Sequence, residues 1–331
     1  MSAGLFFSII KDALTQHAYD PARDIPDQTG KVVLITGSYA GIGYETGRYL
    51  AARGAKVYMA CRSREKTLAA IERLEAELPD VKKDGRVRFL EVDMSDMKAV
   101  KQAAEEFAKR ERRLDVLVHN AGRMTSPYEL SKEGIELSIA VNHLGVAALT
   151  ESLMPLLMST ASEPDSDVRV VVDRPKDAQL DSLEGWNNYG GFLDNAYKSQ
   201  LRRYGMTKYM NILWVAGLQK ELNKKNVPIT AMALHPGVVW TDGFQEKSPW
   251  YIRSSVRAIA LSPAAGAYTT LFAATNPVVK QQRDTFMGGY LVPFGEVAEP
   301  GVSDARSESR IKMLWETTQK VLANILEASN A

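Results

Sequence analysis

The chain has 331 residues, 45% of them hydrophobic, with 41 Lys and Arg against 40 Asp and Glu for a net charge of +1. That is enough for one large α/β domain or two small ones, and the balanced charge leaves no overall field to draw nucleic acid or an anionic membrane. The single cysteine, Cys61, excludes an internal disulfide framework, suits a reducing, cytoplasmic compartment and reads as a small buried apolar side chain.

The first apolar run, "LFFSII", is six residues long, against the roughly 20 that span a bilayer. It predicts a short amphipathic helix with Phe6, Ile9, Ile10 and Leu14 on one side, packing on the domain or touching a membrane surface; no integral membrane segment is expected. Strands then alternate with helices. "KVVLIT" (31–36) reads as a buried strand and 42–53 as a helix; "KVYMAC" (56–61) is a strand and 64–78 a charged helix with a stripe through Leu68, Ile71 and Leu74. Further strands are expected at 87–93, 114–122, 168–172 and 228–237. Continuous Val/Ile/Leu strands between helices mean a parallel sheet covered on both faces, a Rossmann-type doubly wound α/β fold. The loops at the strands' carboxyl ends (36–43, 61–64, 93–96, 119–124, 173–196 and 235–250) then share one rim. The organisation expected is an N-terminal extension (1–29), one Rossmann domain (30–295) with a small cap at 243–275 in a proline-rich stretch, and a C-terminal helical extension (296–331). In the last, Ile311, Leu314, Trp315 and Val321 share a helical face that docks on its own domain or on a partner.

The most informative stretch is Thr36-Gly37-Ser38-Tyr39-Ala40-Gly41-Ile42-Gly43, set between a strand and a helix. Glycines there allow positive φ and close backbone approach, and the helix N-terminus offers free N–H groups to a pyrophosphate. A ligand-free tight turn is the alternative. The spacing T-G-x-x-x-G-I-G resembles the short-chain dehydrogenase/reductase family, over about residues 30–295. Other marks of that family follow in order: Asn120-Ala121-Gly122, "VNHLG" with Asn142, "YGMTK" with Tyr204 and Lys208, and "HPGVVWT" with Pro236, Gly237 and Thr241. The wording of the first third, with the late "GGYLVPFG", is similar to the retinol-dehydrogenase-like branch found in fungi.

The resemblance implies a nicotinamide coenzyme lying against Gly37, Ser38, Tyr39, Gly41, Ile42 and Gly43, then Arg62, Asp93 and Met94, then Asn120, Ala121 and Gly122. Tyr204 and Lys208, and Pro236, Gly237, Val239 and Thr241, complete the implied set. Where an NAD site commonly places an acid after the second strand, this chain has "ACRSR". Arg62 can pair with a 2′-phosphate through its planar fork, helped by the Ser38 hydroxyl, so NADP(H) is expected; Arg62 and Arg64 as solvated loop charges are the alternative. Asp93 resembles the acid that faces the adenine, or it caps the next helix.

Tyr204 and Lys208 are four apart and share a helical face. A neighbouring ammonium favours the phenolate, so Tyr204 can exchange the proton while hydride moves to or from the nicotinamide. The resemblance gives Lys208 the nicotinamide ribose as well, and gives Asn142 a water in a proton relay. The family's serine after the fifth strand is missing: "VRVVVDRPKDAQLD" (168–181) holds no serine or threonine, and its place falls on Arg174 or Pro175, or on Asp173. Three readings stay open. The chain is a carbonyl reductase with a replacement donor (Arg174, or a residue of the 182–200 loop). It binds NADP(H) but performs non-redox biosynthetic chemistry with Asp173 and Arg174. Or it is a weakly active binding or regulatory protein; Asp173 and Arg174 as a plain surface ion pair is the plainest alternative.

Aromatic residues in the rim loops, among them Trp186, Tyr189, Phe192, Tyr197, Trp240, Phe244, Trp250 and Tyr251, suggest walls for a bulky apolar small molecule of the secondary-metabolite kind. Family members often pair through their two long helices, here about 128–160 and 200–223, so a homodimer is expected unless the extensions prevent it. No metal-ligand cluster appears: His17, His119, His143 and His235 are scattered and read as hydrogen-bonded structural residues.

Overall fold

The computed structural model describes residues 19–124, 128–173, 183–188, 197–247, 260–300 and 305–327, with Trp250, Arg253 and Arg257. Outside them lie Phe6, Ile9, Ile10, Leu14 and His17, Arg174 and Pro175 at the place of the missing serine, and the aromatics Tyr189, Phe192 and Tyr251.

β1 (Val32–Thr36) leads through the glycine loop into α1 (Gly41–Ala52), β2 (Lys56–Cys61), α2 (Arg64–Glu77), β3 (Val87–Glu91), α3 (Met97–Arg110) and β4 (Val116–His119). The long helix α4 (Leu137–Ala161), β5 (Val168–Asp173), α5 (Tyr197–Lys224) and β6 (Ile229–Leu234) follow. The chain closes with α6 (Pro263–Thr275), β7 (Tyr290–Val292), β8 (Glu296–Val297) and α7 (Glu308–Glu327). The strands form one sheet in the order β3-β2-β1-β4-β5-β6-β7-β8, parallel except for the last pair. The order reverses between β1 and β4, where a ligand crevice opens at the carboxyl ends.

Alternate strand residues point to opposite faces, so the sheet has two cores. Leu34, Tyr58, Leu90, Leu117 and Val170 pack with α3, α4, α5 and α7; Val33, Ile35, Val57, Met59 and Val118 pack with α1, α2 and α6. Both faces are covered, which is why the strands read as unbroken apolar runs. α4 is the one helix among the described residues long and apolar enough to cross a membrane, and its apolar surface is largely used in the first core.

Several expectations change. Leu68 is 39% exposed, because the buried face of α2 runs through Thr67, Ala70, Ile71 and Leu74. The sheet has two more strands than the six expected: β7 lies in "GGYLVPFG", too short to show a period. Residues 263–275, expected in the cap, are instead a core helix: Ala267, Leu271 and Ala274 of α6 sit among the β1, β2 and β4 side chains. Two of the prolines in that stretch start helices, with the Ser262 side chain capping at Pro263 and Asn276 at Pro277. α7 docks on its own domain through Ile311, Leu314, Thr318, Val321 and Leu322, and Trp315 stacks on Trp214 at 6.3 Å over Gly217. A pairing of copies through α5 therefore has less of that helix to use than the resemblance implies.

Candidate active site

The β1–α1 loop is held by the turn after β4. The Thr36 hydroxyl oxygen accepts from the backbone N–H of Asn120 (3.1 Å) and Ala121 (3.0 Å), and Asn120 Nδ2 donates to the carbonyls of Thr36 (3.1 Å) and Gly37 (2.9 Å). Gly37 has φ +66°, and a Cβ there would stand 2.8 Å from Ala121 Cα; one on Gly43 would strike the Asn120 amide and stand 2.8 Å from Gly37 O. Glycine is thus demanded by the facing turn. Asn120 enters the site as the pin of the loop, its amide committed to backbone.

The opening of α1 suits an anion. Ala40 at its N-cap makes no side-chain bond and the first turn carries no acid, whereas Ser63, Asp96 and Ser262 cap α2, α3 and α6. Its first N–H groups and the positive end of its dipole face the loop without an internal counterpart. Thr241 lies across this opening, 3.5 Å from a Cβ placed on Gly41. Val239 packs on Ile42, Leu261 and Ala265, and Trp240 N–H donates to Leu261 O at 2.9 Å, which fixes the 236–241 turn with Gly237 at φ +85°.

The fold locates three coenzyme-side residues. Ser38 is fully buried, its hydroxyl donating to Ile35 O (2.9 Å) and its N–H to Cys61 Sγ (3.2 Å), so it shapes the loop and offers no hydroxyl beside Arg62. The Met94 side chain lies in the core. Asp93 does not cap α3: its Oδ1 accepts from Ser95 N–H (2.9 Å) and Oγ (2.6 Å), and Asp96 is the cap. Arg62 is 65% exposed, its guanidinium 3.8 Å from Asp93; a pair so exposed adds about 0–1 kcal/mol and leaves the fork free to turn. Tyr39 stands on the rim under Lys66 Nζ, 6.0 Å from its ring centre.

Tyr204 and Lys208 lie one turn apart in the N-terminal half of α5. Lys208 is buried, with Nζ 5.5 Å from the Tyr204 ring centre, and Tyr204 is half-buried. Gly122 closes the space opposite: a Cβ there would lie 3.8 Å from Lys208 Nζ and 3.9 Å from Asn142 Oδ1. Asn142 Oδ1 accepts from Arg123 N–H (2.7 Å), and its Nδ2 donates to Arg123 O (2.8 Å) and Thr207 Oγ1 (3.0 Å). The Thr207 hydroxyl donates to Tyr204 O at 2.8 Å, so Asn142 braces the turn that carries the tyrosine. Asp173 ends β5 opposite Leu234 of β6, at this same rim.

The described histidines, His119, His143 and His235, all make hydrogen bonds within the fold. His119 Nε2 meets Thr150 Oγ1 at 2.8 Å, and burial pushes its ring down to about 3. His235 Nδ1 accepts from Gly237 N–H at 2.8 Å. Trp186, expected in a substrate wall, is fully buried with its ring edge-on to His143 at 5.8 Å, whereas Trp250 is 73% exposed. The sequence reading missed Thr207 and the buried Glu136–Arg203 pair (3.7 Å), which ties the start of α4 to the residue before Tyr204. Nothing in the local sequence sets Arg203 apart from the neighbouring Arg202 and Lys198, so no spacing signal was available.

The family model for short chain dehydrogenases matches residues 31–165. Among known sequences, a short-chain dehydrogenase/reductase of Armillaria gallica is 38% identical over 89% of this chain and 94% of its own length. An uncharacterized oxidoreductase of Schizosaccharomyces pombe is 36% identical over 92% and 88%. Among solved structures, an uncharacterized protein from Mycobacterium paratuberculosis superposes with TM-score 0.67 at 28% identity, covering 92% of this chain and 97% of its own. A Burkholderia cenocepacia short chain dehydrogenase solved with NADP shares the fold (TM-score 0.58, 22% identity, 80% and 97% coverage).

Proposed function

Because this chain belongs to the short-chain dehydrogenase/reductase family, we propose that it is an NADP(H)-dependent oxidoreductase that reduces a ketone or aldehyde of a bulky apolar substrate, with Tyr204 as proton donor. The observation that carries this reading is the convergence of Gly122, Asn142, Lys208 and Tyr204 beside the uncapped start of α1. Those residues fit a dinucleotide: a glycine cradle without side chains, free N–H groups for the pyrophosphate, and an arginine fork at the 2′-phosphate end. When bound, the nicotinamide supplies or accepts the hydride.

The remaining chemistry belongs to the chain. Tyr204 gives its hydroxyl proton to the carbonyl oxygen as the carbon becomes a C–H centre, so C=O becomes CH–OH. The buried Lys208 ammonium stabilises the phenolate left behind, and Asn142, through Thr207, keeps the two side chains in register. Losing an oxyanion donor typically costs about 10²–10³ in rate, so the absent serine needs a replacement; Arg174, following β5, takes that role in this reading. In this reading Trp240 and Trp250 supply apolar wall to the substrate, and the lone buried cysteine fits a cytoplasmic protein. In this reading the dinucleotide-binding domain extends to about residue 297, which keeps the β7–β8 hairpin in its sheet.

The test is NADPH oxidation, followed at 340 nm, with a panel of ketones and aldehydes, comparing wild type with Tyr204→Phe. Turnover abolished by the substitution supports the reading. Tight NADPH binding with no carbonyl reduced would transfer the assignment to non-redox chemistry on the same fold.

A further inference from the structure

α4 begins as an ordinary helix at Leu137, widens into a π-helical turn over Ala140–Leu144 and resumes α geometry at Gly145. Such turns mark functional positions in helices, and Asn142 sits in the middle of this one. A chain of hydrogen bonds leads away from its backbone. Asn211 Nδ2 donates to Asn142 O at 2.9 Å, Asn211 Oδ1 lies 3.2 Å from His143 Nδ1, and His143 Nε2 lies 2.9 Å from Oγ1 of Thr318 on α7, 175 positions along the sequence.

The direction of every bond in the chain is fixed by its end. Asn142 O can only accept, so the Asn211 amide nitrogen faces it and the amide oxygen faces His143. Nδ1 must therefore carry the hydrogen and Nε2 must accept, which leaves Thr318 as the donor. Any reversed member would set two acceptors or two donors face to face. Asn142, His143, Asn211 and Thr318 are all buried, and burial pushes the imidazole down to about 4, so the chain keeps one protonation state near neutral pH. The Trp186 ring standing edge-on to His143 closes the remaining side.

We propose that Thr318 of the C-terminal helix is a positioning residue for the catalytic turn: through His143 and Asn211 it holds the Asn142 backbone, and through Asn142 and Thr207 the Tyr204–Lys208 turn of α5. α7 is then part of the active-site assembly and not only a cover on α5. The inference rests on the reading of Tyr204 and Lys208 as the catalytic pair.

Thr318→Val keeps the shape and removes the hydroxyl; Thr318→Ser keeps the hydroxyl. The readout needs no substrate: with NADP⁺ added, the Tyr204 phenolate is titrated by ultraviolet difference absorbance against a Tyr204→Phe background, and urea unfolding is measured alongside. Wild type is expected to titrate below the ordinary tyrosine value of about 10. Thr318→Val should raise the midpoint by roughly half a pH unit, about threefold in the ionisation constant, and Thr318→Ser should restore it. A Thr318→Val midpoint equal to wild type, or the same shift in Thr318→Ser, overturns the inference while leaving the catalytic pair intact, even if urea stability falls. A wild-type midpoint at the ordinary value overturns the catalytic pair and the inference with it. Should Thr318→Val fail to fold, Thr318→Ala makes the same comparison.

Discussion

On the β1–β4 side of the rim, two turns are clasped by short side chains: the Thr36 hydroxyl and the Asn120 amide each grip the facing backbone, and Gly37 and Gly43 sit where no further side chain can enter. On the β5–β6 side the chain leaves the sheet at Asp173 and Leu234, and its inner wall is set by side chains reaching between distant helices, Asn142 to Thr207 and Glu136 to Arg203. The first half is a rigid socket for a ligand of fixed shape. The second ties catalytic groups together and leaves the substrate side to loop composition. One fold can thus keep its coenzyme while changing its substrate.

The comparison can be broken most severely at the tyrosine. Tyr204→Phe should lower kcat by about 10²–10⁴ while leaving the coenzyme Kd within about twofold, because the socket does not depend on the phenol; steady-state kinetics with fluorescence titration of NADPH checks both. Acid should strike both halves at once. His119 and His143 are pushed from 6.5 to about 3 and about 4 by burial, so below pH 6.5 the unfolded chain takes up protons that the fold excludes. Stability should fall as pH drops from 6.5, by nearly 3 kcal/mol per histidine at about pH 4.5, with no histidine contribution above 6.5; urea unfolding across that range measures it. Arg62→Ala should weaken NADPH binding by roughly 10- to 100-fold, the worth of a charge-assisted bond, and leave NADH nearly unchanged, as calorimetric titration of both coenzymes would show. The mildest change sharpens the packing argument: Leu68→Ala should alter stability by no more than about 0.5 kcal/mol, against about 2–5 kcal/mol for Leu74→Ala on the buried face of the same helix.

The socket was legible because its requirements are local. A strand, a glycine spacing and a helix start lie within 34–45, and Gly37 and Gly43 face Asn120 and Ala121, themselves a motif. The parallel sheet was legible for a related reason: strands buried on both faces need unbroken apolar runs, as in Val32–Thr36 and Lys56–Cys61. What escaped depends on contacts between residues far apart. Ser38 looked available for a phosphate until the fold turned its hydroxyl onto Ile35 O. The prolines of 263 and 277 looked like breaks because a helix start and a loop use proline alike. Trp186 read as a pocket wall, yet it packs on a histidine that α7 also grips, and no spacing rule relates residues 143, 186 and 318.

The account stands most directly on a calorimetric titration of the wild-type chain with NADPH and NADH. It predicts saturable one-to-one binding of NADPH, at least tenfold tighter than NADH and abolished when Gly43→Ala drives a methyl group into the Asn120 amide. Absence of binding by both coenzymes, or equal binding by wild type and Gly43→Ala, would contradict it.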